Sequence, residues 1–268
     1  MNKRVLITGV SKNIGKSICK RFVDEGYEVF GTYKSFFDED EKRETFLNEF
    51  KNVRLFKVDL SNCIDVSNFI KEMKKYRFDV IINNAGILNM TDDNMVLNEF
   101  SDFDIDSFVD LIYCNFISVA RICIELKDCI KSNGNIVIIS SESGSNGAFA
   151  SISYNASKAA LINLTKSLSN NFAYYNKTRV NCVSPGWVET QNGKMNTNSN
   201  NLLVQKISKV TPMMRNAKPK EIADVVYYLT TDQASFITGA NIIVDGGYSN
   251  FDVIYYEEGF KKSLLTEN

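Results

Sequence analysis

The chain is 268 residues long, with 44% hydrophobic and 24% charged residues and a formal net charge of −1. That length suits one α/β domain of the larger size with ample apolar residues for a core, and 31 basic against 32 acidic residues argue against a nucleic-acid binder held by phosphate contacts. There is no histidine, which removes Ser-His-Asp and Cys-His catalysis, a histidine general base and nearly all histidine-bearing zinc sites.

Seven apolar runs read as strands: Arg4–Thr8, Glu28–Thr32, Arg54–Asp59, Asp79–Asn83, Asn135–Ser140, Arg179–Ser184 and Asn241–Asp245. They are continuous (Val-Leu-Ile, Val-Ile-Ile, Ile-Val-Ile-Ile) rather than alternating, as expected of strands covered on both faces. Between them lie helical patterns near Gly15–Glu25, Glu39–Phe50, Ile64–Lys75, Ser107–Lys131, Tyr154–Tyr175 and Pro219–Leu229. Strand-helix alternation of this kind predicts a doubly wound, parallel α/β sheet with helices on both faces, a three-layer Rossmann-type arrangement. With no linker rich in Pro, Gly or Ser and no repeat, residues 1–248 read as one domain. Gln191–Asn201, polar and full of Asn, reads as a mobile loop. The segment 249–268 carries Phe251, Tyr255, Tyr256 and Phe260 and is expected to dock on its own or a neighbouring subunit.

The six cysteines lack C-x-x-C spacing and mostly sit among apolar neighbours, so reduced buried thiols are expected and no metal-ligating cluster. No run approaches the ~18 consecutive apolar residues of a membrane span. Met1-Asn2-Lys3-Arg4 leads straight into a strand pattern, and a soluble cytoplasmic protein is the expectation.

The first strand ends in Thr8-Gly9-Val10-Ser11-Lys12-Asn13-Ile14-Gly15 and opens a helix. A pyrophosphate needs bare backbone N–H groups at such a helix start. Gly9 suits the tight turn and Gly15 suits close helix–strand packing. Asn13, where a third glycine would be expected, tolerates a left-handed backbone well. The second strand ends at Thr32-Tyr33-Lys34-Ser35, without the acid that usually selects NAD. Lys12 and Lys34 are candidates for a ribose 2′-phosphate, which favours NADP(H) over NAD(H); both also read as solvated surface charge.

Tyr154 and Lys158 stand at i and i+4 on one helical face. An ammonium near 4 Å at an effective dielectric of ~20 contributes roughly 4 kcal/mol, enough to lower a tyrosine pKa of about 10 by about 3 units at most. Ser141 follows a strand, 13 residues before Tyr154; Asn115 lies in the long helix before it, and Asn83-Asn84-Ala85-Gly86 ends the strand before that.

This ordered set resembles the short-chain dehydrogenase/reductase family in its single-domain branch, from Thr8-Gly9 through Asp59-Leu60, Asn181-Cys182-Val183-Ser184-Pro185-Gly186 with Thr190, and Ile237-Thr238-Gly239, to Asp245-Gly246-Gly247. The resemblance implies a seven-stranded sheet. It implies a cofactor on Gly9, Ser11, Lys12, Asn13, Ile14, Lys34, Asp59, Leu60, Asn84, Ala85, Gly86, Pro185, Gly186, Val188 and Thr190, with Tyr154 and Lys158 also touching it. Tyr154 would be the acid in carbonyl reduction, Lys158 would shift its pKa and hold the nicotinamide ribose, Ser141 would fix the substrate oxygen, and Asn115 would hold a water linking Lys158 to solvent.

Thr211-Pro212-Met213-Met214-Arg215 and Pro219-Lys220-Glu221-Ile222-Ala223 are most similar to 3-oxoacyl-[acyl-carrier-protein] reductases, which implies a small-molecule or acyl-thioester substrate. Against carrier docking, residues 78–120 hold eight acids and no base, and Ser132 and Tyr175 occupy positions where those reductases commonly present arginines; Lys131 and Lys177 sit adjacent. Sugars, polyols and small ketones are alternative substrates, with Trp187, Phe149, the 143–153 loop and the Asn-rich loop expected at the pocket. A catalytically silent NADP-binding regulator is the reading from another class. The resemblance also implies a homotetramer or homodimer paired through the helices at 107–131 and 154–175, where Phe108, Ile112, Phe116, Ala160, Leu164 and Leu168 suit either core or interface.

Overall fold

Runs of Val, Ile and Phe form strands here because both faces of each run find apolar cover. The computed structural model describes residues 2–88, 104–146, 152–189 and 208–250. Among them, β1 (Arg4–Ile7), β2 (Glu28–Tyr33), β3 (Val53–Lys57), β4 (Phe78–Asn83), β5 (Ile130–Ile139), β6 (Arg179–Pro185) and β7 (Asn241–Val244) form one parallel sheet in the order β3-β2-β1-β4-β5-β6-β7. Successive side chains point to opposite faces. On β1, Leu6 joins a cluster with Phe30, Ile81, Ile136 and Val180, whereas Val5 and Ile7 join Val29, Val80, Val137 and Val183 on the other side.

The first cluster is covered by α3 (Cys63–Met73), α5 (Ser118–Glu125) and α6 (Ile152–Asn176). The second is covered by α1 (Asn13–Asp24), α2 (Asp40–Glu49) and a helix over Pro219–Thr230, here α7. The helix starts follow ordinary capping chemistry. Asn62 Oδ1 accepts the Ile64 and Asp65 N–H groups ahead of α3, and Asp104 does the same for Asp106 and Ser107 ahead of α4 (Ile105–Ile112). The doubly wound expectation is met, and the order reverses between β1 and β4, the switch point where such sheets open a crevice.

Two expected elements differ. The helix read as Ser107–Lys131 is α4, a π turn over Tyr113–Ile117 and α5, which ends at Glu125. Its former tail is a 3₁₀ turn, and β5 already begins at Ile130. β5 is longer at its start because its register against β4 shifts between Phe78 and Val80. Asn133 takes φ +61° at that irregularity, and a Cβ on Gly134 would sit 2.6 Å from Ile130 Cγ2, so this strand start was hidden under turn residues.

By length and composition alone, the helix through Ile105–Glu125 meets the requirement for a membrane span, although it holds no unbroken apolar run of that length. Asp106, Asp110, Asn115 and Arg121 interrupt it, and in the fold it packs against α6 and α3. Leu168 belongs to the core, and Phe116 and Leu164 lie half-buried against it. Among the described residues all six cysteines are free thiols, five of them buried, as expected.

Candidate active site

The strand ends at the switch point are tied together by side chains of the turn residues themselves. Thr8 Oγ1 accepts the backbone N–H groups of Asn84 and Ala85, each at 3.0 Å. Asn84 Nδ2 donates to the Thr8 and Gly9 carbonyls at 3.0 Å, and the Gly9 N–H donates to Thr32 Oγ1 at 3.0 Å. The exits of β1, β2 and β4 are thus locked to one another. Gly9 turns at φ +75° and Asn13 at φ +47°, so the asparagine does adopt the left-handed backbone expected of it. A Cβ on Gly15 would lie 1.8 Å from the Gly9 carbonyl oxygen, which leaves room for no side chain where α1 meets β1.

This turn opens onto a cavity of about 340 Å³ lined by Gly9, Ser11, Lys12, Asn13, Ile14, Lys34, Asp59, Leu60, Asn84, Ala85 and Gly86, all of them sequence candidates. Tyr33, Val58, Ile87 and Cys114 also line it and were not foreseen. Cys114 reaches the wall only through the π turn, for which no local pattern speaks. Lys34 Nζ pairs with Asp59 at 2.7 Å, and Lys12 Nζ lies 4.7 Å from the Phe36 ring centroid. Both lysines therefore stand at the cavity, one of them engaged by an acid from the end of β3.

A second cavity of about 260 Å³ continues from the first; Asn13, Ile14, Asn84, Gly86 and Ile87 line both. Its floor is the C-terminal ends of β5 and β6, and it brings together Ser141, Tyr154 and Lys158 with Pro185, Gly186 and Val188. A Cβ on Gly86 would lie 3.2 Å from Asn115 Oδ1 and 3.5 Å from Lys158 Nζ, so the passage between the cavities is kept open by a missing side chain. Two adjoining cavities, a glycine-lined turn at a helix start and a bare passage between them match the elongated outline of a dinucleotide.

α6 delivers Tyr154 and Lys158 one helical turn apart into this space. Lys158 is buried; its Nζ donates to the Ile139 carbonyl at 3.0 Å and sits 5.4 Å from the Tyr154 ring centroid. The Tyr154 hydroxyl hydrogen-bonds Ser141. Burial pushes the Tyr154 pKa up to about 12, with the charge of Glu142 adding to it and the Ser141 bond working against it. Burial also pushes Lys158 down to about 8, with Cys182 and Cys114 offsetting part of that. The sequence argument from one ammonium beside one phenol gave the opposite sign for Tyr154, because it left out desolvation, which disfavours the charged form of both groups.

Ser141 Oγ lies 2.8 Å from Ser143 Oγ and donates to Glu142 Oε2 at 3.1 Å. Glu142, which directly follows Ser141, carries no motif that marks it in the sequence. Asn115 is not among the residues lining either cavity. Its Oδ1 accepts the Ile87 N–H and its Nδ2 donates to the Ile87 carbonyl, both at 2.8 Å, with a further bond to Ser157 Oγ at 3.3 Å. The amide that the resemblance gave to a water clamps the segment after β4 onto α6. Trp187 is half-buried and does not line the cavity among the described residues; its carbonyl accepts the Ala217 N–H at 2.9 Å. Thr190, residues 147–151 of the 143–153 loop with Phe149 among them, the Gln191–Asn201 loop and residues 251–268 lie outside the described residues.

A family model described as enoyl-(acyl carrier protein) reductase matches residues 9–249. The chain belongs to the short-chain dehydrogenase/reductase family. It is 34% identical over 251 residues to the 3-oxoacyl-[acyl-carrier-protein] reductase FabG of Buchnera aphidicola subsp. Acyrthosiphon pisum (strain APS), covering 90% of this chain and 95% of that protein. Against the acetoacetyl-CoA reductase of Acinetobacter sp. (strain RA3849) it is 32% identical over 250 residues, covering 91% of this chain and 97% of the other. The solved structure of a 4-hydroxyisoleucine dehydrogenase complexed with NADH superposes with a TM-score of 0.78 at 29% identity, covering 94% of this chain and all of the other. As a short-chain dehydrogenase/reductase, the protein is an oxidoreductase with a Rossmann-type nicotinamide-dinucleotide fold.

Proposed function

We propose that this short-chain dehydrogenase/reductase reduces the keto group of a 3-oxoacyl thioester to a secondary alcohol. The observation that carries the reading is the convergence of Ser141, Tyr154 and Lys158 on one cavity that continues the glycine-lined groove, in a chain about one-third identical over nine-tenths of its length to named 3-oxoacyl and acetoacetyl thioester reductases. A bound nicotinamide dinucleotide supplies the hydride. Gly9, Ser11, Asn13, Ile14 and Ala85 would hold its pyrophosphate side, and Pro185, Gly186 and Val188 the nicotinamide side. With its pKa near 12, Tyr154 holds its proton at neutral pH, as a general acid for reduction must. It gives that proton to the oxygen of the reduced carbonyl. Ser141 positions this oxygen, and Lys158, charged when protonated, stabilises the phenolate left behind. Asn115 fixes the Ile87 backbone beside the passage.

NADP(H) is favoured because Lys12 and Lys34 both line the proposed dinucleotide cavity and would offer two cations to a 2′-phosphate. The exposed Lys34–Asp59 pair is worth at most ~1 kcal/mol and yields readily to a phosphate. The thioester would be a small one, or one whose carrier docks elsewhere than on Lys131 and Lys177. Lys131 pairs with Asp79 at 2.9 Å near the start of β5, roughly 25 Å along the sheet from Ser141. Of the acids in residues 78–120, Asp79 and Asp104 already serve that pair and a helix cap. A second copy of the chain would cover the exposed Ile105, Val109, Ile117 and Ile124 of the α4–α5 face, giving a dimer or tetramer. The complete Ser141, Tyr154 and Lys158 set speaks against a silent regulator.

The test is cofactor consumption with NADPH or NADH and a panel of acetoacetyl-CoA, longer 3-oxoacyl thioesters, sugars and small ketones. NADPH oxidation with the thioesters at a kcat/KM above that for any sugar or ketone is the expected result. Turnover confined to a sugar, or none with tight NADPH binding, contradicts the substrate reading.

A further inference from the structure

Beside the three residues assigned to the chemistry lies a further, titratable side chain that the proposed mechanism does not use. Glu142 is 8% exposed, in the short 3₁₀ turn Glu142–Gly144 that follows β5. Its Oε2 accepts from Ser141 Oγ at 3.1 Å, Ser143 also hydrogen-bonds it, and the two serine hydroxyls lie 2.8 Å apart. Tyr154 of α6 hydrogen-bonds the same Ser141 and feels the Glu142 charge, and from the segment after β7 Asp245 and Tyr248 face the carboxyl. No basic side chain is among the described groups that act on it.

We infer that Glu142 is a positioning residue whose protonation state decides which way the Ser141 hydroxyl points. The inference rests on the proposed reductase reading, in which Ser141 donates to the carbonyl oxygen. The argument is one of counting protons. Ser141 has a single hydroxyl hydrogen, and a carboxylate can only accept. With Glu142 ionised, Ser141 and Ser143 both donate to it, while the Ser141 oxygen accepts from the Ser143 N–H at 3.3 Å and bonds Tyr154. No hydrogen then remains on Ser141 for a substrate. With Glu142 neutral, the carboxyl brings its own hydrogen and donates it to the serine pair, and the Ser141 hydrogen is released toward the cavity. The surroundings favour the neutral form: burial raises the Glu142 pKa first, Asp245 adds to it, and the two serine bonds offset part. Because the folded pKa is raised, the neutral form persists above the ordinary carboxylate range and is lost as pH rises through the raised value.

The experiment is kcat and KM against pH for acetoacetyl-CoA with NADPH, in wild type, Glu142→Gln, Ser143→Ala and Tyr154→Phe. Gln keeps a donor where neutral Glu has one and never ionises. Wild-type kcat is expected to fall about tenfold per pH unit above the Glu142 ionisation, with KM changing less, in addition to the limb near pH 8 from loss of the Lys158 charge, which wild type, Glu142→Gln and Ser143→Ala share. Glu142→Gln should lack the Glu142 limb. Ser143→Ala, which removes a donor to the carboxylate, should move it to higher pH. Two limbs in Glu142→Gln, as in wild type, overturn the inference, and so does a uniform loss of kcat at every pH in that variant. If Glu142→Gln does not fold, two unmoved limbs in Ser143→Ala overturn it, and one limb moved upward supports it. Tyr154→Phe separates the two levels: full turnover there refutes the underlying mechanism, whereas lost turnover with an unaltered Glu142→Gln profile refutes the positioning role alone.

Discussion

The two halves of the groove are built on different physics. At the dinucleotide half, Thr8, Gly9, Thr32 and Asn84 are joined by neutral hydrogen bonds at 3.0 Å, and space is made by glycines whose Cβ would collide with backbone. At the proposed catalytic half, the groups assigned to the chemistry are ionisable and buried, and Tyr154, Lys158 and Glu142 all have their pKa values displaced toward the neutral form. One half is specified by shape and the other by desolvation. A change of one methyl group should therefore be ruinous in the first, while in the second a change of charge should alter rate and leave the fold intact.

The largest expected effect breaks the shape half. Gly15→Ala forces a Cβ to within 1.8 Å of a carbonyl that is itself locked by Asn84, so α1 must separate from β1. We expect loss of NADPH binding and a drop in melting temperature of many degrees, from a cost of roughly 3 kcal/mol or more. Normal cofactor affinity in that variant would mean that the turn adapts and that shape does not govern this half.

A smaller effect sharpens the comparison inside the same half, since the 2′-phosphate reading is a charge argument on a shape scaffold. Lys12→Ala and Lys34→Ala should each lower kcat/KM for NADPH by about tenfold, with NADH changing by less than about twofold. Equal losses for the two cofactors would assign both lysines to general surface charge.

The pH response of the reverse reaction perturbs the desolvated half through its protons alone. Alcohol oxidation needs the Tyr154 phenolate, and a pKa raised from 10 to about 12 keeps the proton on over the neutral range. The base form then grows about tenfold per pH unit until the raised value is reached. Thus in Glu142→Gln, where the Ser141 hydrogen stays available at every pH, kcat/KM for the oxidised cofactor, which reports ionisations of the free enzyme, should climb with pH through pH 9. A plateau below pH 8 would mean that Lys158 dominates burial after all.

This contrast also explains what could be read in the sequence. Continuous apolar runs fixed the seven strands and their double winding, and every candidate cofactor residue among those described lines one of the two cavities. Glycine and asparagine in a turn state a backbone geometry directly, so that half was legible. In the proposed catalytic half, the convergence of Ser141, Tyr154 and Lys158 on one cavity was legible, but its electrostatics were not. The sign of the Tyr154 shift depends on how deeply β5, β6 and α6 bury the phenol, which no spacing encodes. The π turn at Tyr113–Ile117, which turns Asn115 toward Ile87 and Cys114 to the cavity wall, looks in sequence like ordinary helix. Glu142 was hidden for a simpler reason: beside a serine, a glutamate looks like surface charge until the strand that carries it is seen to end indoors.

The most direct test of the central claim is Tyr154→Phe, compared with wild type for acetoacetyl-CoA-dependent NADPH oxidation and for NADPH binding by fluorescence titration. The account predicts that kcat falls by about 10³-fold, within the range typical of a lost general acid, while Kd for NADPH stays within about twofold. Turnover at the wild-type rate, or loss of turnover that merely follows a loss of cofactor binding, would contradict it.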